Sequence, residues 1–511
     1  MAARCLMIQG TASSVGKSLM VTGLCRLFAR QGVKVAPFKS QNLSLNAAVT
    51  PSGHEIGRAT AVQAEAAGIP ATVAMNPVLL KPEGPRGCQV ILMGRPQGPQ
   101  APGKYLQDRS AHRAAIEASL ARLRAEYDLI LCEGAGSPAE PNLMAHDIAN
   151  MYVARIAEAP VLLVGDIDRG GVFASLVGTL ALLPEADRAR VKGFIINKFR
   201  GEARLLKPAL DILQERTGLP TLGVMPHLRG LRIAEEDGVA LEGRSEQLSA
   251  GDQRLDVAVL RYPSISNFDD LGPLELERGV AVRYVQSPDA LGDPDLLILP
   301  GSKCTAADLA WVRAQGLAGP IKARCEAGRP TLGICGGFQM MGQRIEDPMG
   351  VEGPPGAVDG LGILPVRTTF AGHKVTRQVR ARAQGSHLLA GASEPSPGYE
   401  IHMGRVERLA GAEAAFRLEA PEQGTSLVQP GKSPQGSDPL EDGATLGGGL
   451  VMGTLIHGLF EDEALRRGLL QRLGAQAQGP SLASRAQSYD RLADALEAHL
   501  DQGLLRQLAL G

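Results

Sequence analysis

Aromatic residues make up only 4% of this chain, with a single Trp, and net charge is nearly absent. The first scarcity leaves Leu, Val, Ile and Ala to fill the interior. The second follows from 53 Lys and Arg against 54 Asp and Glu. Without a global basic field, we expect neither nucleic acid nor a membrane surface as a partner. A run of about 18 apolar residues is also missing, so we expect no transmembrane helix.

Cysteine is sparse as well, with seven residues and no C-x-x-C pair. An odd number of widely spaced cysteines is typical of neither a disulfide framework nor a zinc site. We therefore expect reduced thiols and a cytoplasmic protein. The apolar run Cys5–Gln9 leads directly into a glycine loop, which predicts a first strand rather than a secretory signal.

A length of 511 residues predicts at least two domains. Short apolar runs alternate with helical patterns, which indicates an α/β fold with parallel, helix-covered sheets. The alternation pauses in a polar stretch and then restarts, so we predict two tandem domains, 1–240 and 255–511, with a linker at 241–254. The Gly-, Pro- and Ser-rich stretch 418–448 is predicted as a loop insertion. The tail from about 462 to 508 is predicted as packed helices of the second domain.

The strands are predicted from these apolar runs. In the first domain they are Cys5–Gln9, Val33–Phe38, Leu129–Cys132, Val161–Val164 and Phe194–Ile196. In the second domain they are Val257–Leu260, Val280–Val285, Leu296–Leu299, Thr331–Ile334 and Leu450–Ile456.

The segment Gly10–Ser18, GTASSVGKS, follows the first predicted strand and opens a predicted helix. That is the context of a phosphate-binding loop, in which backbone N–H groups cradle phosphate oxygens. Lys17 would reach the β- and γ-phosphates of ATP, and the Ser18 hydroxyl would bind Mg²⁺. A plain glycine-rich turn is the alternative. The other positions that we assign to nucleotide binding are Gly10, Thr11, Ser14, Val15 and Gly16.

The spacing of this loop, G-x5-G-K-S, is one residue longer than the usual form. It resembles the loop of dethiobiotin synthetase and its relatives, which couple ATP to carboxylate chemistry. The switch ATPases that partition plasmids or place division sites are a rival class, and their loop carries an extra early Lys. Residues 10–16 contain no Lys, which favours the first class.

Further along the chain, polar residues follow predicted strands. Glu133 could complete the Mg²⁺ shell with Ser18, since ligands gather at the carboxyl ends of strands in open α/β sheets. A helix-capping or turn carboxylate is the alternative. Asp147 is a candidate for metal binding or catalysis, and helix capping is equally open for it. Asn197 lies where an adenine-contacting loop often lies in such folds.

The stretch Thr331–Met341, TLGICGGFQMM, is a strand that runs through Cys335 and two glycines into a helical pattern. This is the nucleophile-elbow layout with Cys in place of Ser. The glycines permit a sharp turn, while the helix N-terminus and the N–H of Gly336 would favour a thiolate and support an oxyanion. Cys335 would attack the side-chain amide of glutamine and release ammonia. A buried structural cysteine is the alternative.

A thiol nucleophile needs a base within hydrogen-bond reach. His457, at the end of a predicted strand, is the better candidate. His402 is the competitor, to which we assign a packing or orienting role. Gly301 follows another predicted strand and would supply a second N–H to the oxyanion.

These two sites and five further stretches resemble the cobyric acid synthase family over nearly the full chain. The stretches are Phe38–Asn42, Met75–Pro82, Glu133–Glu140, Asp166–Phe173 and Ile265–Phe268. The resemblance implies an α/β architecture in which a P-loop NTPase-type parallel sheet precedes a class I glutamine amidotransferase domain of flavodoxin-like fold.

The resemblance also implies the chemistry. The family uses ATP, Mg²⁺ and glutamine to amidate the b, d, e and g carboxylates of adenosylcobyrinic acid a,c-diamide, giving adenosylcobyric acid in cobalamin biosynthesis. It implies that Cys335 is the nucleophile and His457 its base. Class I glutaminase domains commonly have Glu at the position of Leu459, but the subfamily resembled also lacks that Glu. The group that orients His457 is therefore left open. Cobyrinic acid a,c-diamide synthase and a non-catalytic P-loop ATPase switch are the alternatives.

Overall fold

The computed structural model divides the chain into two compact units. It describes residues 3–83, 87–100, 109–228, 230, 231, 233, 241, 254–419, 440–475 and 485–511. The first unit comprises Met1–Ser44, Ile56–Glu236 and Ala483–Gly511, and the second comprises Leu45–Glu55 and Asp237–Leu482. No helix in the described ranges has both the length and the apolarity to cross a membrane.

Strands and helices alternate along the first half of the chain. The strands are β1 (Arg4–Gly10), β2 (Val35–Phe38), β3 (Gln41–Leu43), β4 (Ala47–Val49), β5 (Glu55–Gly57), β6 (Val78–Pro82), β7 (Cys88–Leu92), β8 (Arg95–Gln100), β9 (Leu129–Glu133), β10 (Val161–Asp166), β11 (Val191–Phe199) and β12 (Thr221–Pro226). The helices are α1 (Lys17–Arg30), α2 (Arg58–Ala66), α3 (Ser110–Glu126), α4 (Met151–Ile156), α5 (Val172–Leu182), α6 (Glu185–Arg188) and α7 (Lys207–Thr217).

The second half contains longer antiparallel strands. Its strands are β13 (Leu255–Leu260), β14 (Ile265–Ser266), β15 (Val280–Val285), β16 (Leu296–Leu299), β17 (Gly301–Ser302), β18 (Thr331–Ile334), β19 (Arg344–Asp347), β20 (Gly356–Asp359), β21 (Val366–Ala383), β22 (Ser396–Arg408), β23 (Phe416–Glu419), β24 (Glu441–Asp442), β25 (Ala444–Leu446), β26 (Val451–Thr454) and β27 (Ile456–His457). Its helices are α8 (Gly272–Glu275), α9 (Pro288–Leu291), α10 (Thr305–Ala314), α11 (Ala318–Glu326), α12 (Gly336–Met341), α13 (Glu463–Arg472), α14 (Arg485–His499) and α15 (Gln502–Leu510), and a 3₁₀ helix covers Phe268–Leu271.

The first unit is built on a parallel sheet with the order β12-β11-β10-β1-β9-β2 in its described part. The central strand β1 is buried at every residue except Arg4, because helices cover the sheet, and the apolar residues of α1 share its core. The carboxyl ends of β1, β9, β10 and β11 lie at one edge of this sheet. Residues that follow those strands are therefore neighbours.

The second unit is built on a sheet with the order β15-β13-β16-β18-β26-β25, in which β25 alone of these strands is antiparallel to its neighbour. The strand predicted over Leu450–Ile456 is divided. β26 continues the parallel sheet, whereas β27 pairs with β22 in a separate, largely antiparallel sheet. The division occurs at Leu455, whose backbone N–H donates to the buried Asp442 carboxylate instead of to a strand. Both units are thus α/β.

The N-terminal boundary differs from the predicted 1–240 because residues 45–55 belong to the second unit. Strand β4 and the first residue of β5, Glu55, lie in this segment. Glu55 forms a buried ion pair with Lys374 of β21 at 2.5 Å, and the Gln378 side chain donates to the Val49 carbonyl at 2.9 Å. No strand was predicted in this segment, and the alternation of strands and helices does not show which core a segment joins.

The C-terminal helices also differ from the prediction, since α14 and α15 belong to the first unit and not to the second. Leu492 and Leu496 of α14 pack on Gly23 of α1, where an added Cβ would lie 2.7 and 2.4 Å from their side chains. Helical periodicity predicted these helices without indicating their partner. Of the predicted linker only Leu241 and Arg254 are described, and residues 420–439 of the predicted insertion lie outside the described residues.

Candidate active sites

The phosphate loop lies between β1 and α1, as its sequence context predicts. Ser14 and Gly16 have positive φ values of 58° and 104°, which turn the loop back toward the helix. A Cβ on Gly16 would lie 2.1 Å from the Asn197 amide nitrogen, so this position accepts only glycine. At the start of the loop, Gly10 packs against Val15, and the Thr11 N–H donates to the Val164 carbonyl of β10 at 3.0 Å.

Lys17 is folded back across the loop. Its Nζ donates to the Ala12 carbonyl at 2.8 Å and to the Gly136 carbonyl at 3.0 Å, and the residue is buried. A cation held among backbone carbonyls beside a glycine loop has the position from which it can transfer its hydrogen bonds to phosphate oxygens.

Glu133 collects hydrogen bonds from three separate segments of the first unit. Its Oε1 accepts from the Ser18 hydroxyl at 2.8 Å and from the Lys39 ammonium at 2.7 Å, and its Oε2 accepts from the Gln63 amide. Glu133 is 1% exposed and Lys39 is 2% exposed, so the ion pair is removed from water. The sequence pattern indicated Ser18 and Glu133 as partners but indicated no role for Lys39 or Gln63. The available signal was Lys39 within the Phe38–Asn42 stretch.

Oxygen donors suited to Mg²⁺ are present at this point. Mg²⁺ is commonly held by one or two protein oxygens together with phosphate oxygens of the nucleotide and water. The Ser18 hydroxyl and the Glu133 carboxylate fit that description. In the described ranges no group of three or more His, Cys, Asp or Glu side chains is arranged as a metal cage.

Asp147 lies in a helix-capping arrangement, the alternative left open above. Its Oδ1 accepts from the backbone N–H groups of Ala149 and Asn150 at 2.8 Å each, and its Oδ2 accepts from that of Tyr152 at 2.9 Å. Asn150 in turn bonds the backbone of Ala135 through both ends of its amide. Asp147 therefore positions the loop that follows Glu133.

Asn197 supports the phosphate loop from the end of β11. Its Nδ2 donates to the Val15 carbonyl at 2.8 Å. The next residue, Lys198, donates to the Ser14 carbonyl at 2.7 Å and to the Asp166 carboxylate at 2.8 Å. Both residues thus contact the loop directly, and Lys198 adds a cation there.

In the second unit, Cys335 forms a strained elbow between β18 and α12. Its φ of 51° and ψ of −111° are unusual for a residue with a side chain. The elbow needs the glycine after Gly336, because a Cβ on Gly337 would lie 1.9 Å from the Leu299 carbonyl oxygen. The Cys335 N–H donates to Thr454 of the neighbouring strand at 2.8 Å. Backbone packing therefore holds the thiol in place.

His457 is paired with Asp270, a residue that the sequence analysis did not identify. The Asp270 Oδ2 lies 2.6 Å from His457 Nδ1, and its Oδ1 accepts from the Gly458 N–H at 2.9 Å. Burial alone would lower the pKa of His457, but the charges of Asp270 and Cys335 outweigh it and raise that pKa to about 10. The other ring nitrogen, Nε2, is buried without a hydrogen-bond partner in the described structure.

Asp270 is brought to His457 by the 3₁₀ helix Phe268–Leu271. That helix starts after Asn267, whose φ of 51° is left-handed and whose side-chain oxygen accepts from the Ala47 N–H at 2.9 Å. The two partners are separated by 187 residues, so no local motif joins them. The only sequence signal was the Ile265–Phe268 stretch, which ends two residues before Asp270.

The remaining predicted residues lie as follows. His402 contacts the Gly404 carbonyl through Nδ1 at 3.1 Å and faces the Glu400 carboxylate at 3.6 Å through Nε2, within a buried polar group beside the elbow. Gly301 lies against His457, since a Cβ there would be 3.3 Å from the imidazole Cε1. Gly336, the first residue of α12, lies against Ser302.

Two family models match the chain. The CobQ/CobB/MinD/ParA nucleotide binding domain matches residues 6–241, and the CobB/CobQ-like glutamine amidotransferase domain matches residues 256–465. These matches agree with the nucleotide site in the first unit and the thiol site in the second.

Curated relatives extend over almost the whole chain. The cobyric acid synthase of Sorangium cellulosum is 53% identical over 99% of this chain and 99% of its own length. That of Desulforudis audaxviator is 50% identical over 97% of each. A solved glutamine amidotransferase structure aligns with 43% of this chain and 99% of its own at 19% identity and a TM-score of 0.29, a similarity too low to support an argument.

Proposed function

The chain belongs to the cobyric acid synthase family, and from that premise we propose how its residues carry out the reaction. It is an ATP-dependent ligase that takes its nitrogen from glutamine and acts on a corrinoid in cobalamin synthesis. We propose that the substrate is adenosylcobyrinic acid a,c-diamide, whose b, d, e and g carboxylates become amides. The observation that carries the mechanism is the presence, in one chain, of a phosphate loop and a Cys-His-Asp group.

The first unit activates the carboxylate. A carboxylate oxygen forms a bond to the γ-phosphorus of ATP as the bond to ADP breaks, which gives an acyl phosphate. Lys17 would donate to the phosphate oxygens, and the backbone N–H groups of the loop would bind the charge that spreads over them. The Asn197 and Lys198 bonds to the loop carbonyls support this role, because they fix the backbone of the loop.

We assign Mg²⁺ to Ser18 and Glu133, on the oxygen donors described above. When bound, it would offset negative charge on the β- and γ-phosphates. Lys39 and Gln63 would keep the Glu133 carboxylate in place whether or not ATP is present.

The second unit releases ammonia. The Cys335 thiolate would attack the side-chain amide carbon of glutamine, with the oxyanion bound by N–H groups of Gly301 and Gly336. His457 would give its Nε2 proton to the leaving ammonia and then take a proton from the water that hydrolyses the thioester. Asp270 would hold the imidazole by its Nδ1 hydrogen bond. The ammonia then attacks the acyl phosphate carbon, and inorganic phosphate leaves.

The alternative of a cobyrinic acid a,c-diamide synthase shares this chemistry but starts from a substrate without the two amides. The near full-length relatives that match at 46–53% identity are cobyric acid synthases, which favours the proposed substrate.

The test is to incubate the purified chain with ATP, Mg²⁺, glutamine and adenosylcobyrinic acid a,c-diamide and to count added amides by mass spectrometry. We expect a product with four additional amides. Amidation of cobyrinic acid but not of the a,c-diamide would contradict the proposal.

A further inference from the structure

The N-terminus of α2 (Arg58–Ala66) is buried and lacks a capping side chain. No side-chain cap bonds it in the described structure, and its first turn contains no acidic residue. Ala59 and Thr60 in that turn are 3% and 0% exposed. The first-turn N–H groups of a helix have no acceptor within the helix and carry partial positive charge, so burying them without a partner is costly. This end of the helix suits an anionic group.

Asn42 provides a second, independent observation. The residue is 1% exposed, and neither its Nδ2 nor its Oδ1 has a hydrogen-bond partner in the described structure. Its side chain is aimed at the N-cap of α2, since Nδ2 lies 2.4 Å from where a Cβ on Gly57 would be. The hydroxyl of Thr60 is also buried without a partner. Leaving such a group unsatisfied costs about 1–3 kcal/mol, so these donors are arranged for a ligand that supplies acceptors.

The site is close to the proposed phosphoryl transfer. Gln63 follows Thr60 by three residues on α2 and donates to Glu133, so the two points are about one helical turn, roughly 5 Å, apart along the helix. On the other side, Asn42 follows Lys39 by three residues, and Lys39 also bonds Glu133. An anion that receives the γ-phosphoryl group has to lie beside the nucleotide site, and this site satisfies that requirement.

We propose that the Asn42 amide, the Thr60 hydroxyl and the N-terminus of α2 bind the acceptor carboxylate of the corrinoid. The carboxylate side chains of the corrinoid would occupy this site one after another. The inference rests on the proposed function. Nδ2 of Asn42 and the Thr60 hydroxyl donate to one carboxylate oxygen, which leaves the other to attack the γ-phosphorus. After amidation, Oδ1 of Asn42 accepts an N–H of the new carboxamide. An amide side chain serves both forms because it carries a donor and an acceptor.

The experiment measures binding of adenosylcobyrinic acid a,c-diamide without ATP, by equilibrium dialysis followed by corrin absorption. Asn42→Asp places a second carboxylate in the site, and we expect its Kd to rise about tenfold or more. Thr60→Val should raise Kd a few-fold, and Asn42→Ser, which keeps a donor, should fall between wild type and Asn42→Asp. Thr221→Val is the matched control, because Thr221 has an unpartnered hydroxyl on the edge strand β12, and its Kd should equal that of wild type.

The circular-dichroism spectrum and the thermal transition report whether each variant is folded. Corrinoid binding equal to wild type in folded Asn42→Asp overturns the inference. If Asn42→Asp does not fold, corrinoid binding equal to wild type in both Asn42→Ser and Thr60→Val overturns the inference instead. A raised KM for ATP and weaker inhibition by inorganic phosphate, with corrinoid binding unchanged, would assign the site to a phosphate group and also overturn it. The proposed function fails separately, if the wild-type chain adds no amide to the a,c-diamide.

Discussion

The two candidate sites hold their reactive groups by different means. In the first unit, Ser18, Lys39 and Gln63 come from separate segments and meet on the buried Glu133 carboxylate. In the second unit, Cys335 is held by backbone packing at its elbow, and one ion pair orients its histidine. A site made of converging side chains depends on several chain segments being folded together. An elbow depends mainly on its own glycines, and needs only one distant partner.

The largest effect is expected for Lys17→Ala. Both glutamine- and ammonia-driven amidation should fall by at least about 10³-fold, since a cation on the transferring phosphoryl group is lost. Lys192→Ala is a suitable control, because this exposed lysine bonds only the nearby Ala189 carbonyl among the contacts described. Turnover near that of wild type at saturating ATP would remove Lys17 from the mechanism.

Cys335→Ala tests whether the glutamine site and the nucleotide site act independently. Glutamine-driven amidation should vanish, because the variant cannot form the thioester. Amidation from high ammonium at alkaline pH should continue, because free NH₃ is the nucleophile and the phosphate loop is unchanged. The control is Cys325→Ala, a half-buried cysteine on α11. Glutamine-driven turnover in Cys335→Ala would refute the amidotransferase mechanism, and loss of ammonia-driven turnover in the folded variant would refute independent sites.

Asp270→Asn tests the single distant partner of the elbow. Glutamine-driven kcat should fall about 10²–10⁴-fold, as expected when a carboxylate that orients a histidine is replaced by an amide. In wild type the pKa of His457 is raised to about 10, so the imidazolium persists at neutral pH. Without the Asp270 charge that pKa should fall, and the alkaline limb of the kcat/KM profile should move to lower pH.

The same pair predicts a stability difference with a definite sign. Because the folded pKa of His457 is raised, the stabilisation from this pair is fully present below the unfolded pKa of about 6.5 and is lost as pH rises toward 10. Wild type and Asp270→Asn should therefore differ most in thermal transition at low pH within the native range. Equal pH profiles and equal transitions would leave Asp270 without an orienting role.

Glu133→Gln should change how the amidation activity depends on Mg²⁺. The amide keeps the size of the side chain but loses the charge, so the Mg²⁺ concentration for half-maximal activity should rise severalfold, more than KM for the corrinoid. The measurement is a Mg²⁺ titration of ammonia-driven amidation. An unchanged titration would reduce Glu133 to a structural partner of Lys39 and Gln63.

The smallest effect on chemistry is expected for Leu492→Ala, which tests the C-terminal helices. Removing this buried side chain from the contact with α1 should cost about 2–5 kcal/mol in the free energy of unfolding of the first unit. Glutaminase activity should be unchanged at temperatures where the unit is folded. Arg30→Ala removes only surface contacts, chiefly the ion pairs with Asp490, Asp494 and Glu497, and should cost at most about 1 kcal/mol. Equal denaturation curves for the two variants would contradict this packing.

Much of the fold was readable from local patterns. Buried parallel strands are continuous apolar runs, so β1, β9 and β10 could be located to within about two residues. The phosphate loop and the Cys335 elbow were readable for a similar reason, because each needs glycines at fixed positions next to its reactive residue. Leu450–Ile456 was misread as one strand, since an apolar run does not show where Asp442 intercepts its backbone.

Only the tertiary structure decided which residues, distant in sequence, are the hydrogen-bond partners of the reactive groups. The sequence contained Lys39, Gln63 and Asp270, but hydrogen bonds to Glu133 and His457 across 70 to 187 residues leave no spacing to recognise. The sequence also does not show which hydrophobic core a segment joins. Residues 45–55 and the C-terminal helices are the two examples in this chain. By itself the sequence determined which residues react, because that chemistry is encoded locally. Which residues hold them was decided by folding, because burial and charge pairing act between segments that are distant in sequence.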